Sequence, residues 1–157
     1  VSLLLNRSLL LSRKIDIAGS SPALTTKLNK EKMMKEELEK HSEYYKSITN
    51  KLTELCFGLA KEAGWHNKPR VVGTDLMLIT SEVAEAMEGA RKDLMDDHLT
   101  DRKMFEVELA DAVIRIFDTA GKYNLNLGGA LVEKLIYNTR RADHKLENRE
   151  KDGGKKF

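Results

Sequence analysis

At 157 residues, with 41% apolar and 33% charged residues, the chain is long enough for one domain with a modest core plus extensions. Its net charge of +2 is uneven: residues 1–30 carry +4, residues 140–157 carry +3, and the segment between them carries −5, an acidic centre that argues against a nucleic-acid partner. The single Cys56 excludes an internal disulfide and a cysteine metal site and favours a reducing, cytoplasmic setting, and no run of about 18 apolar residues offers a membrane span.

Residues 1–28 read as a separate extension, disordered or targeting-like. The stretch VSLLLNRSLLLSRKIDIAGSSPALTTK is rich in Ser, Leu and basic residues, and Asp16 is its only acid. Its two Leu triplets are split by Asn6-Arg7-Ser8, which is closer to an organelle transit segment than to a secretory signal; an organellar location is the alternative to a cytoplasmic one.

Residues 29–149 read as a helical domain. From 29 to 63 only Gly58 interrupts a run free of Pro and Gly, and Tyr45, Ile48, Leu52, Leu55 and Leu59 recur near the helical period. Gly64 closes this helix, and Trp65-His66-Asn67-Lys68-Pro69 forms a loop. Thr74 is the expected cap of a second helix that runs to Lys92. The polar connection DLMDDHLTD follows, and Thr100 or Asp101 caps a third helix ending at Tyr123. Asn124, Asn126, Gly128 and Gly129 break the chain before a fourth helix from Ala130 to Arg149. The tail, 150–157, reads as disordered and basic. No hairpin signal occurs, so the expected fold is all-α, a four-helix-type bundle.

Chemistry concentrates in two acidic doublets. Glu82 and Glu85 stand three apart in ITSEVAEAMEGARK, and Glu108 and Asp111 stand three apart in FEVELADAVIRIFD. Residues at that spacing are neighbours on one helix face. Glu36/Glu39, Asp93/Asp96 and Glu147/Glu150 repeat the spacing and read as surface charge, so spacing alone decides nothing. The surrounding sequence distinguishes the two doublets, which are interleaved with Leu78, Ile79, Val83, Met87, Leu109 and Val113. Carboxylates on such apolar helices need partners, and basic residues are scarce there until Arg91 and Arg115. Four converging acids repel one another unless a cation sits between them. A di-iron bundle requires Glu-x-x-His pairs, and none of His41, His66, His98 and His144 is preceded three residues back by Glu. All-oxygen ligands favour Mg²⁺, with Mn²⁺ as substitute.

Glu82-x-x-Glu85, 22 residues and then Glu108-x-x-Asp111 resembles the signature of the MazG-like nucleotide pyrophosphohydrolases, within the all-α NTP pyrophosphatase superfamily. The segment Gly64–Arg70 and the pattern Lys134-Leu-Ile-Tyr-Asn138-Thr-Arg-Arg141 extend the resemblance over roughly residues 43–146. The resemblance implies a Mg²⁺-dependent hydrolase that cleaves nucleoside triphosphates to monophosphate and pyrophosphate, removing non-standard or excess nucleotides. Glu82, Glu85, Glu108 and Asp111 would be the metal ligands, with Glu82 or Glu85 as the base. Many family members carry two consecutive glutamates where this chain has Ser81-Glu82. Lys134, Asn138 and Arg141, with Lys145, share a helix face that by spacing alone reads as exposed basic surface; with the family pattern, Lys134 and Arg141 would bind phosphate and Asn138 phosphate or sugar, and Trp65 could stack on the base, or anchor the core. Lys68 and Arg70 are either phosphate-steering or surface charges. A homodimer or homotetramer is expected, since helices of this size make a thin core alone. The competing expectations are a related helical phosphohydrolase acting on dUTP, dCTP or phosphoribosyl-ATP, and a non-catalytic helical interaction module.

Overall fold

A computed structural model describes residues 22–144 and 146–153; the expected extension up to residue 21, Lys145 and residues 154–157 lie outside the described residues. Every regular element among the described residues is helical, and the only pairing of extended backbone there is one isolated bridge, Met95 with Lys103. The helices are α1 (Pro22–Lys40), α2 (Ser42–Glu62), α3 (Val72–Lys92), α4 (Met104–Lys122) and α5 (Leu127–Arg140). A 3₁₀ turn over Ala142–His144 and the short α6 (Leu146–Arg149) follow. None of these helices is long and apolar enough to cross a membrane.

The chain divides into two units, residues 1–37 and 38–157. In the first, α1 begins at Pro22, inside the segment expected to be a separate extension. Proline suits a first helical position, because its fixed φ is already helical and its missing N–H has no role there. An exposed Lys32–Glu36 ion pair lies on this helix.

In the second unit the expected helix over 29–63 is two helices. His41 leaves helical geometry at φ −106° and ψ 17°, and Ser42 with Glu43 opens α2. Gly64 ends α2 as expected, at φ +82°, a conformation that favours glycine. Helix α3 starts at Val72, ahead of the expected Thr74 cap, and Val71 precedes it with no side-chain cap. Helix α4 starts at Met104, later than the expected caps at Thr100 or Asp101. The chain before it is held in a tight loop: the Asp96 carboxylate accepts from the backbone N–H groups of His98 (2.9 Å) and Leu99 (2.6 Å), and Met104 N–H donates to the Leu94 carbonyl (3.0 Å). Asp96, expected as surface charge, is therefore buried as a turn cap.

The expected break at Gly128-Gly129 is instead the first turn of α5, capped by Asn126, whose side chain accepts from Gly129 N–H. Glycine at 128 is required by proximity: a Cβ there would lie 2.3 Å from the Lys46 carbonyl oxygen of α2. Helix α5 ends at Arg140 rather than Arg149, because Arg141 is extended (ψ 130°) and its guanidinium turns to Asp143.

Packing runs from α3 to α4, from α4 to α2 and from α2 to α5. The buried stripe of α3 is Asp75, Glu82, Ala86 and Gly89; that of α4 is Glu108, Ala112 and Ala120. Small residues let the two backbones approach, and the first acidic residue of each doublet falls on these stripes.

Candidate functional site

The seam between α3 and α4 sets the acids. Glu82 is 7% exposed and Glu108 is 9% exposed. One oxygen from each of Glu82, Glu108 and Asp111 lies within 4.8 Å of the others, an arrangement that could hold a metal ion. Glu85 stands outside this trio and is solvent-exposed, yet it is close enough to act on Glu108. Burial pushes the Glu108 carboxyl above its ordinary range, and the negative charges of Glu85, Glu82 and Asp111 push it further. Burial also raises Asp111; Glu82 and Asp96 add to this, while Arg115 and His98 oppose it.

Three close oxygens, two of them on groups whose ionised form is disfavoured, fit a hard divalent cation, which would add positive charge among them. Of the two basic residues expected nearest these acids, Arg91 and Arg115, one does reach Glu82. Arg115, one turn beyond Asp111 on α4, donates through Nε to Glu82 Oε1. The i, i+4 spacing from Asp111 was visible in the sequence; the partner on the other helix was not.

Ser81, where a second glutamate was the family expectation, donates back to the Leu78 carbonyl at 2.8 Å. Glu88, one turn beyond Glu85, pairs with Lys92 and Arg91 on the surface of α3.

The residues expected to bind substrate lie on other elements. Lys134 and Arg141 both approach the ring of Tyr137, at 4.9 and 5.8 Å from its centroid. Arg141 is also paired with Asp143. The Asn138 Oδ1 is buried and has no hydrogen-bond partner among the described residues. Helix α5, which carries Lys134 and Asn138, packs on α2. Trp65 is 64% exposed, so it is not a core anchor.

A second polar cluster escaped the sequence reading. Asp75, at the start of α3, is buried and accepts from Arg70 Nε (2.9 Å), from Lys122 and from the Tyr123 hydroxyl (2.9 Å). Burial pushes the Asp75 carboxyl up, but the hydrogen bonds from Lys122, Tyr123 and Arg70 outweigh it and hold the group below the usual carboxylate range. Arg70 also donates to the Trp65 carbonyl, and Lys122 donates to the Arg70 carbonyl. Beside it His66 Nε2 lies 2.7 Å from Asp118 Oδ1, with the imidazole edge-on to Phe57. Arg70 is thus a partly buried group held by Asp75 and the Trp65 carbonyl rather than a free surface charge. Three hydrogen bonds, His66 with Asp118, Arg70 with Asp75 and Lys122 with the Arg70 carbonyl, tie the 64–71 loop to α3 and α4, and only the basic residues of the loop hinted at it.

Cys56 is partly buried, and burial, with Asp118 nearby, raises its thiol. No family model, curated protein or solved structure matches this chain.

Proposed function

We propose that this protein is a Mg²⁺-dependent nucleoside triphosphate pyrophosphohydrolase of the MazG-like kind, with Mn²⁺ as a substitute cation, acting on NTPs or dNTPs. The observation that carries the reading is the meeting of Glu82, Glu108 and Asp111 across the α3–α4 seam, with oxygens inside 4.8 Å. The resemblance over residues 43–146, of which the doublet spacing is a part, supports it.

In this reading Glu82, Glu108 and Asp111 hold the cation. When bound, it neutralises and orients the oxygens of the triphosphate, whose charge would otherwise repel an attacking water. Glu85 is the residue that takes the proton from that water: it is exposed, its charge acts on Glu108, and unlike Glu82 it is not in the metal-capable trio. Lys134, Asn138 and Arg141 contact phosphate or sugar, Arg141 exchanging its Asp143 partner for the ligand, and Trp65 offers an exposed ring for the base. The working unit is a homodimer or homotetramer, a reading supported by the many large apolar side chains left exposed on all four main helices of residues 38–157.

A nucleotide panel with added Mg²⁺, reading pyrophosphate and orthophosphate separately, tests the activity. Pyrophosphate release from one or more triphosphates is expected; release of orthophosphate alone overturns the assignment. Glu108→Gln and Asp111→Asn should each lower turnover by about a hundredfold or more with folding retained, since even outer-shell changes at metal sites cost up to that much. Wild-type turnover in either variant removes that residue from the site.

The Glu82–Arg115 ion pair favours one competing reading, a non-catalytic helical interaction module, because it compensates Glu82 without a metal. In that case Mg²⁺ and Mn²⁺ leave the melting temperature unchanged.

A further inference from the structure

We propose that Arg115 is an exchangeable counter-ion: it holds Glu82 while no divalent cation is bound, and turns to substrate phosphate when a cation takes its place. The inference rests on the metal-binding reading of the acidic trio above and extends it to a residue outside that trio.

Three observations lead there. First, the pair is asymmetric. The Glu82 side chain is 9% exposed and Arg115 is 38% exposed, so one partner is fixed in the seam and the other reaches it from the rim. Second, the contact uses one donor. Among the described residues Arg115 is engaged through Nε alone, and a guanidinium carries five N–H donors in a planar fork that matches phosphate oxygens. Third, Glu82 is a member of the only group of three or more acids able to hold a metal among the described residues, so a cation bound there and the Arg115 guanidinium draw on the same carboxylate. A mobile arginine at that rim is released where the negative charge of a polyphosphate arrives. Its long stem lets the head move without disturbing α4. Arg115 is therefore a positioning residue before substrate binds and a phosphate ligand afterwards.

The test measures Mn²⁺ binding to wild type, Arg115→Gln and Arg115→Lys by the paramagnetic resonance of free Mn²⁺. It then measures binding of inorganic tripolyphosphate to each Mn²⁺-loaded protein by calorimetry. Arg115→Gln should bind Mn²⁺ about three- to fivefold more tightly, the range an ion pair of this exposure carries. The same variant, loaded with Mn²⁺, should bind tripolyphosphate about tenfold more weakly, through loss of a charge-assisted forked contact. Arg115→Lys, which keeps the charge but not the fork, should match wild type for Mn²⁺ and fall between the two for tripolyphosphate. Wild-type Mn²⁺ affinity in a folded Arg115→Gln, or wild-type tripolyphosphate affinity in that variant, overturns the exchange. Should Arg115→Gln fail to fold, wild-type tripolyphosphate binding by Arg115→Lys overturns it instead. A wild-type protein that binds no Mn²⁺ sinks the metal reading together with this one. Mn²⁺ binding that is indifferent to residue 115 removes the exchange alone.

Discussion

Asp75 and Glu82 stand two turns apart on the same buried stripe of α3, and their surroundings are opposite. Three donors converge on Asp75, whereas Glu82 faces Glu108 and Asp111 with Arg115 as its one hydrogen-bonded cation among the described residues. The pH dependence of stability should divide accordingly. The Asp75 carboxyl lies below its ordinary range, so its contribution is present above the unfolded value of about 3.9 and is lost as pH falls through the folded value. Glu108 and Asp111 lie above their ordinary ranges, so they favour the metal-free fold at low pH, and that contribution is lost as pH rises through their folded values. Asp75→Asn should cost about 3 kcal/mol near neutral pH, the low end for a broken buried pair, because Arg70 and Lys122 keep some access to water. Urea denaturation of wild type and variant should show the difference shrinking as pH falls towards about 3. A constant difference across that range would mean that Asp75 acts through packing, not charge.

Among the elements, α5 depends on a close backbone approach. Asn50 on α2 accepts from Gly128 N–H at 2.8 Å and donates to Asn126 at 3.0 Å, while Asn126 accepts from Gly129 N–H. Two asparagines thus satisfy the first donors of α5, and the absence of a side chain at 128 permits the contact with the Lys46 carbonyl. Gly128→Ala should lower stability by about 2 kcal/mol, as overpacking does, despite the higher helix propensity of alanine. Chemical denaturation checks it, and a neutral or stabilised variant would show that α2 and α5 have room to separate. The Asn-rich, Gly-rich run read locally as a break because such residues favour turns. Its helical geometry follows from a partner helix some 76 residues away in sequence.

For the molecule as a whole, the buried apolar residues among those described are Ala86, Ala112, Ala120 and Val132. Leu59, Leu76, Val83, Met87, Val113 and Leu135 are all exposed beyond two-fifths of their surface. A chain of 17.8 kDa with this distribution should not persist alone at micromolar concentration. Analytical ultracentrifugation should give two or four chains per particle, and Val83→Glu with Met87→Lys should shift the mass towards one chain. A wild-type protein sedimenting as a single chain would refute the assembly.

The order of residues alone determined that the described regions are helical, that Gly64 ends α2, and that each doublet shares a helix face. These features depend on periods and propensities acting over one or two turns. Only the tertiary structure decided which acids matter together. Glu82, Glu108 and Asp111 meet at the seam, while Asp96 caps a turn and Asp93 pairs with Lys103. Equally, nothing in the spacing of Arg70, Lys122 and Asp75 announced their cluster around the buried Asp75 carboxylate. Burial and charge pairing across helices depend on contacts between residues dozens of positions apart, which a period of three or four does not encode.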